Sequence, residues 1–312
     1  MSDAPDLDDL FDQRIDLPDS TARDRFARLV GLDDFKSRLT KILGLLVNLE
    51  GLRTWAAHHH PGAEHLLDAI LTRPPLVVVA GDVGSGKTEL AETIGDAVAR
   101  KEKIDVVLLP LSLSTRGQGR VGEMTRLISA AFDATLEEAR KLKSSSGSAR
   151  GAVILLVDEA DALAQSRENA QMHHEDRAGV NAFIRGVDRI ANARVPAAVI
   201  MCTNRLGSLD PALRRRAADI LVFHRPDPDQ RRIILSDALA SMSFPDAAIE
   251  ALVAATGPRD GLDYGYTFSD LIQRLLPAIA LDAYPDHPIR PEQALVVARR
   301  LFPTPPFRED HA

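Results

Sequence analysis

Between an apolar run, Leu76-Val77-Val78-Val79-Ala80, and a helical pattern opening at Thr88 lies Gly81-Asp82-Val83-Gly84-Ser85-Gly86-Lys87-Thr88. The stretch fits G-x-x-x-x-G-K-[ST] in the strand-to-helix setting that a phosphate-binding loop requires. Its glycines let backbone N–H groups close around phosphates, and the helix start adds a favourable dipole. Lys87 has the reach for the β and γ phosphates, and the Thr88 hydroxyl suits Mg²⁺. A loop of this kind commits the chain to a sheet with crossover helices.

The rest of the middle region agrees. Short apolar or β-branched runs at Leu76–Ala80, Asp105–Leu109, Val153–Asp158, Ala197–Thr203 and Ile220–Phe223 alternate with longer helical patterns. Such alternation predicts a parallel sheet. Thr88–Arg100 gathers Leu90, Ala91, Ile94, Ala97 and Val98 on one face, and Val121–Leu142 gathers Met124, Leu127, Ile128, Ala131, Phe132 and Leu136. After Arg225-Pro226-Asp227-Pro228 the strand signals stop and helical patterns continue to Ala298, with breaks at Pro258 to Tyr266 and Tyr284 to Pro291. Three segments are expected: an acidic flexible tail over 1–22, an α/β nucleotide-binding domain over 23–226, and an all-helical lid over 227–312.

The run Val153–Val157 delivers Asp158-Glu159 at its carboxyl end. A helix cap would explain one such residue. Behind a phosphate loop, the pair instead suits a carboxylate for the metal, Asp158, and one that polarises water, Glu159.

Composition excludes several classes. The chain has 312 residues, 45% hydrophobic and 27% charged, which rules out disorder throughout. No apolar run approaches the ~20 residues of a membrane span. Seven Asp in the first twenty positions are unlike a secretory signal, and a single cysteine, Cys202, forms no internal disulfide, so the cytoplasm is expected. A net charge of −7 argues against general nucleic-acid binding. His58-His59-His60 and His65 are read as a solvated loop rather than a metal site.

Cys202-Thr203-Asn204-Arg205-Leu206-Gly207-Ser208-Leu209-Asp210-Pro211-Ala212-Leu213-Arg214-Arg215-Arg216 brings a family into view. It resembles the second region of homology of the AAA+ ATPases. Leu29-Val30-Gly31-Leu32-Asp33-Asp34-Phe35-Lys36 is similar to the segment that opens their nucleotide site. Gly265-Tyr266-Thr267-Phe268-Ser269-Asp270-Leu271 resembles their lid motif, with Phe268 at a usual glycine. The resemblance spans about residues 28 to 300 and implies ATP and Mg²⁺ as ligands. It makes Asn204 a polar sensor of the attacking water, lines the adenine site with Gly31 and Leu32, and makes Arg215 and Arg216 fingers reaching a neighbouring subunit. A ring, of six subunits, is implied by the same resemblance.

Arg216-Ala217-Ala218-Asp219 departs from the family's Gly-Arg-Phe spacing. It is similar instead to the pachytene-checkpoint branch, Trip-thirteen-like ATPases that remodel HORMA-domain proteins. Short bacterial members accompany HORMA proteins and cGAS-like nucleotide cyclases in antiphage signalling. The loop Ser112–Glu123 lacks the aromatic that substrate-threading relatives carry, leaving Arg116, Gly117, Arg120 and Val121 as candidate pore-loop contacts. A plain βα loop and a nucleic-acid-contacting loop stay open beside that reading. A second inner loop falls near Gln165–Ala178. The alternative function is a nucleic-acid-associated AAA+ switch, a loader or transposition regulator, although no DNA-reading appendage is recognisable.

Overall fold

The computed structural model describes residues 10–113, 122–143, 150–164, 174–205, 207, 209–259 and 261–306. They divide into two compact units. One comprises Met1–Arg28, Asp34–Ala80 and Thr88–Val222; the other comprises Leu29–Asp33, Gly81–Lys87 and Phe223–Ala312.

The first unit holds most of a six-stranded sheet. Its strands are β1 (Ile15–Leu17), β2 (Leu76–Gly81), β3 (Asp105–Ser112), β4 (Gly151–Asp158), β5 (Ala197–Thr203) and β6 (Ala217–Phe223), in the order β1-β3-β4-β5-β2-β6. The pairs β3–β4, β4–β5 and β2–β5 are parallel, as the βα alternation predicts. Residues Ala152–Val157 are at most 1% exposed, because a strand covered on both faces has no polar side to present. Helices α1 (Ser20–Ala27), α2 (Asp33–Val47), α3 (Leu49–His59) and α4 (Glu64–Leu71) precede β2, and α5 (Lys87–Glu102) and α6 (Glu123–Leu142) provide crossovers. Between β4 and β6 lie α7 (Asp161–Ala164), α8 (His174–Ala193) and α9 (Pro211–Arg216). On α5, Leu90, Ala91, Ile94 and Val98 are fully buried, matching their helical spacing. Helices α6 and α8 pack through an edge-to-face pair, Phe132 and Phe183, with centroids 5.4 Å apart.

The amino-terminal segment departs from expectation. Residues 10–22 are not a loose tail: β1 pairs antiparallel with β3, Ile15 opposite Leu108 and Leu17 opposite Val106. Leu10 and Phe11 are buried in the core. Two of the acidic residues that suggested a tail, Asp12 and Asp19, have structural partners instead. Asp19 caps α1 by accepting from the Ala22 N–H at 2.8 Å, and Asp12 accepts from the Ser112 N–H at 2.9 Å. A three-residue strand is too short to show a period, so only its pairing reveals it.

The second unit is helical beyond its two short upstream segments. Helix α10 (Pro228–Leu239) begins with a reciprocal capping box between Asp227 and Gln230 and a proline in its first turn. Helices α11 (Asp246–Ala255), α12 (Leu276–Ala283) and α13 (Pro291–Arg300) follow, with a π-helical turn at Asp270–Leu275 leading into α12. Asp270 is completely buried and knits this unit. It accepts from the Thr267 N–H, the Thr304 N–H and hydroxyl, and Arg274, at 2.6–3.1 Å. Burial pushes its carboxyl up, but the hydrogen bonds from Thr304, Thr267 and Arg274 outweigh burial and hold it below the usual carboxylate range. Burial drives the Tyr266 hydroxyl up to about 12, so it stays protonated and donates to the Ala298 and Leu301 carbonyls.

No described helix is long and apolar enough to cross a membrane. Cys202 is buried on β5, as its apolar neighbours suggest.

Candidate nucleotide site

Parallel strands bring their carboxyl ends to one edge. Ser112 pairs with Asp158, Val157 with Met201, and Ala80 with Thr203, so β3, β4, β5 and β2 finish together. In an open α/β sheet this edge is where ligands bind. The chain leaves β2 there as loop 81–87 and re-enters helix at Lys87.

That loop is built for an anion. Gly84 and Gly86 have φ of +74° and +90°, which side-chain-bearing residues rarely adopt. A Cβ on Gly84 would also lie 2.7 Å from the Thr267 hydroxyl. The first N–H groups of α5 have no intrahelical acceptors and point toward the loop's side of the helix. The Lys87 ammonium folds back onto the loop, donating to the Gly81 carbonyl at 2.9 Å and the Asp82 carbonyl at 2.7 Å, with the Ser85 hydroxyl at 3.4 Å. Asp82 shapes the turn: one carboxylate oxygen accepts from the Val83 N–H at 2.9 Å, and its carbonyl accepts from the Ser85 N–H at 3.3 Å. Ser85 is buried, whereas Val83 and Thr88 are exposed.

The same unit brings the upstream segment to the loop. A Cβ on Gly86 would sit 3.4 Å from a Leu32 methyl, and the Gly31 carbonyl accepts from the Gln230 amide at 2.6 Å. Gly31 and Leu32 therefore lie beside loop 81–87 and α10. The carbonyl of Gly84 accepts from the Ser269 N–H at 3.0 Å, joining the lid motif to the loop.

In the first unit, β4 ends at Asp158, whose carboxylate accepts from the Glu159 N–H at 2.8 Å. Glu159 is exposed at φ +51°, a sparsely populated conformation for a residue with a side chain. Its carboxylate accepts from the Ser112 hydroxyl at 2.9 Å. Asn204 follows β5 and is held by Asp161, which accepts from the Thr203 hydroxyl (2.8 Å), the Asn204 N–H (2.7 Å) and the Asn204 side-chain amide (3.1 Å). The sequence reading passed over Asp161 and Ser112. Asp161 had a signal, its place three residues after Asp158 and one turn from the strand end; Ser112 had none beyond closing a strand.

Helix α9 carries the arginines. Arg216 makes a two-point ion pair with Asp188 of α8 at 2.7 and 2.9 Å. Arg215 is exposed. Arg116, Gly117, Arg120 and Val121 lie outside the described residues, as does most of the second inner loop.

The donor set matches a magnesium–nucleotide complex. Among the described residues no group of three or more His, Cys, Asp or Glu could hold a metal alone. A Thr88 hydroxyl and one Asp158 carboxylate are hard oxygen ligands of the sparse kind Mg²⁺ accepts beside phosphates and water.

Residues 77–225 match the family described as ATPase family associated with various cellular activities (AAA). Over 307 residues the chain is 63% identical to CD-NTase-associated protein 6 of Escherichia coli strain MS 115-1, covering 98% of this chain and 99% of that protein. It superposes with TM-score 0.89 and 62% identity on a chain of the solved E. coli MS115-1 HORMA:CdnC:Trip13 complex, covering 97% of this chain and 99% of that one. The solved Rhizobiales Trip13 gives TM-score 0.75 and 55% identity over 95% of this chain and all of that one.

Proposed function

From the premise that this chain belongs to the AAA ATPase family, we propose that it forms a ring, of six subunits, that couples ATP hydrolysis to remodelling a HORMA-domain protein in the cytoplasm. The HORMA protein in turn serves a cGAS-like nucleotide cyclase in antiphage signalling. The observation that carries this reading is the near full-length likeness to a chain of the HORMA:CdnC:Trip13 complex. At 62% identity over 97% of the chain, the likeness spans nearly the whole length of both chains and supports a partner of the same class.

The residues divide the work as follows. The loop formed by Gly81, Asp82, Val83, Gly84, Ser85 and Gly86 cradles the phosphates, and Lys87 turns from the loop carbonyls to the β and γ phosphates. Gly31 and Leu32 flank the adenine. Thr88 and Asp158 would hold Mg²⁺, which would neutralise phosphate charge. Glu159 takes the proton of the attacking water, and Asn204, braced by Asp161, orients that water. Arg215 reaches the γ-phosphate bound by the adjacent subunit, where Arg216 supports it. Arg116, Gly117, Arg120 and Val121 face the pore and grip substrate without an aromatic side chain.

The testing experiment is a substrate trap. Glu159→Gln protein is expressed in the native host, recovered with ATP, treated with nuclease, and its co-purifying proteins identified by mass spectrometry. A HORMA-domain protein that survives nuclease is the expected result. Recovery of nucleic acid, or of proteins lost on nuclease treatment, would overturn it in favour of the nucleic-acid-associated switch.

A further inference from the structure

The phosphate loop carries a negative charge of its own. Asp82 is the second residue of a loop whose remaining chemistry, N–H donors and the Lys87 ammonium, is arranged for anions. A carboxylate there repels a polyphosphate unless a cation offsets it.

That cation comes from just beyond β6. The Arg225 Nε donates to the Asp82 carboxylate at 2.7 Å, with a second guanidinium nitrogen 2.6 Å from the same oxygen. Its Nη1 donates to the Gly265 carbonyl at 2.6 Å. The guanidinium carbon lies 4.9 Å from the centre of the Tyr264 ring, within cation–π range. The two charged side chains are only 14% and 17% exposed, so solvent screens the pair weakly. Arg225 thus meets the phosphate loop on one side and the Gly265 loop on the other, while Asp82 also fixes the Val83 N–H and, through its carbonyl, Lys87.

We propose that Arg225 is a positioning residue for nucleotide binding, neutralising Asp82 and fixing the phosphate loop to the loop at Tyr264 and Gly265. It acts through Asp82 rather than on nucleotide directly. The inference rests on the ATPase reading above and adds to it a residue that no motif marks. Charge compensation predicts a signature that a packing role does not: loss of Arg225 weakens triphosphate binding more than diphosphate binding, because the triphosphate brings more negative charge to Asp82.

The test measures binding of fluorescent ATP and ADP analogues to Arg225→Ala, Arg225→Lys, Asp82→Asn and the Asp82→Asn/Arg225→Ala double variant, with thermal melts alongside. Arg225→Ala is expected to weaken triphosphate binding on the order of tenfold or more, and diphosphate binding less. Asn at 82 keeps the oxygen that accepts from Val83 and removes the charge, so the double variant should recover most of the loss. Asp82→Asn alone, which removes the repelling charge and keeps Arg225, should bind the triphosphate more tightly than the wild type. If Arg225→Ala melts early, Arg225→Lys carries the comparison. It keeps the charge without the fork and should fall between wild type and Arg225→Ala in triphosphate preference. Equal weakening of both nucleotides, or a double variant no better than Arg225→Ala, would overturn the proposal. A wild-type protein that bound neither nucleotide would instead overturn the ATPase reading itself.

Discussion

The Asp188 carboxylate grips Arg216 at two points, at 2.7 and 2.9 Å, while Arg215, one residue earlier on α9, is exposed and has no ion-pair partner among the described residues. Adjacent residues on a helix point about 100° apart, so one short helix gives its two arginines different surroundings. The pairing separates a bracing arginine from one able to reach outward.

Arg215→Ala should therefore lower turnover of the assembled protein by about 10³ and leave nucleotide affinity of a single chain unchanged. Mixing it with Lys87→Ala subunits should restore part of the activity, since each supplies what the other lacks. Steady-state ATPase assays and nucleotide titrations check this. Turnover retained in Arg215→Ala would remove its role in trans.

Glu159→Gln keeps the shape of the side chain and removes its basicity. ATP affinity should match the wild type, and single-turnover hydrolysis should fall at least ~10²-fold. Hydrolysis near the wild-type rate would mean that another group takes the proton.

Asp161 and Asn204 act as one unit through two hydrogen bonds to the same carboxylate. Each alanine variant should lower kcat roughly 10- to 100-fold with little change in KM. The double variant should be no worse than the worse single one, because coupled residues do not add. Additive losses in that cycle would show that Asp161 acts elsewhere.

Asp270 predicts a pH dependence. Its folded carboxyl titrates below its unfolded value, so its stabilisation is complete above the ordinary Asp pKa of ~3.9 and disappears as pH falls through the folded value. Asp270→Ala should cost about 3 kcal/mol near neutral pH, mostly from the donors of Thr267, Thr304 and Arg274 left unpaired. The difference in denaturant stability between wild type and variant should be flat above about pH 5 and shrink below pH 4. A difference that grew on acidification would contradict the assignment.

Much of the fold was legible in the chain because its signals are local. Five apolar runs became β2 to β6, with the observed strands extending one to three residues further at some ends, and helical spacing placed α5 and α6. The loop 81–87 and the Asp158-Glu159 pair could be located at strand ends for the same reason. The strand β1 could not, since three residues carry no period and Asp-rich flanks read as solvent-exposed.

What the sequence determined by itself was the identity and order of groups along the chain: a glycine-rich loop between strand and helix, carboxylates closing a buried strand, arginines at the end of a short helix. Those patterns arise from interactions among near neighbours, where spacing dictates geometry. Tertiary structure alone decided the partnerships across long separations. Asp82 meets Arg225 across 143 residues, Asp161 meets Asn204 across 43, and Asp188 meets Arg216 across 28. A charged side chain looks alike in sequence whether it is solvated or paired, and only the folded chain brings its counter-ion within hydrogen-bonding distance.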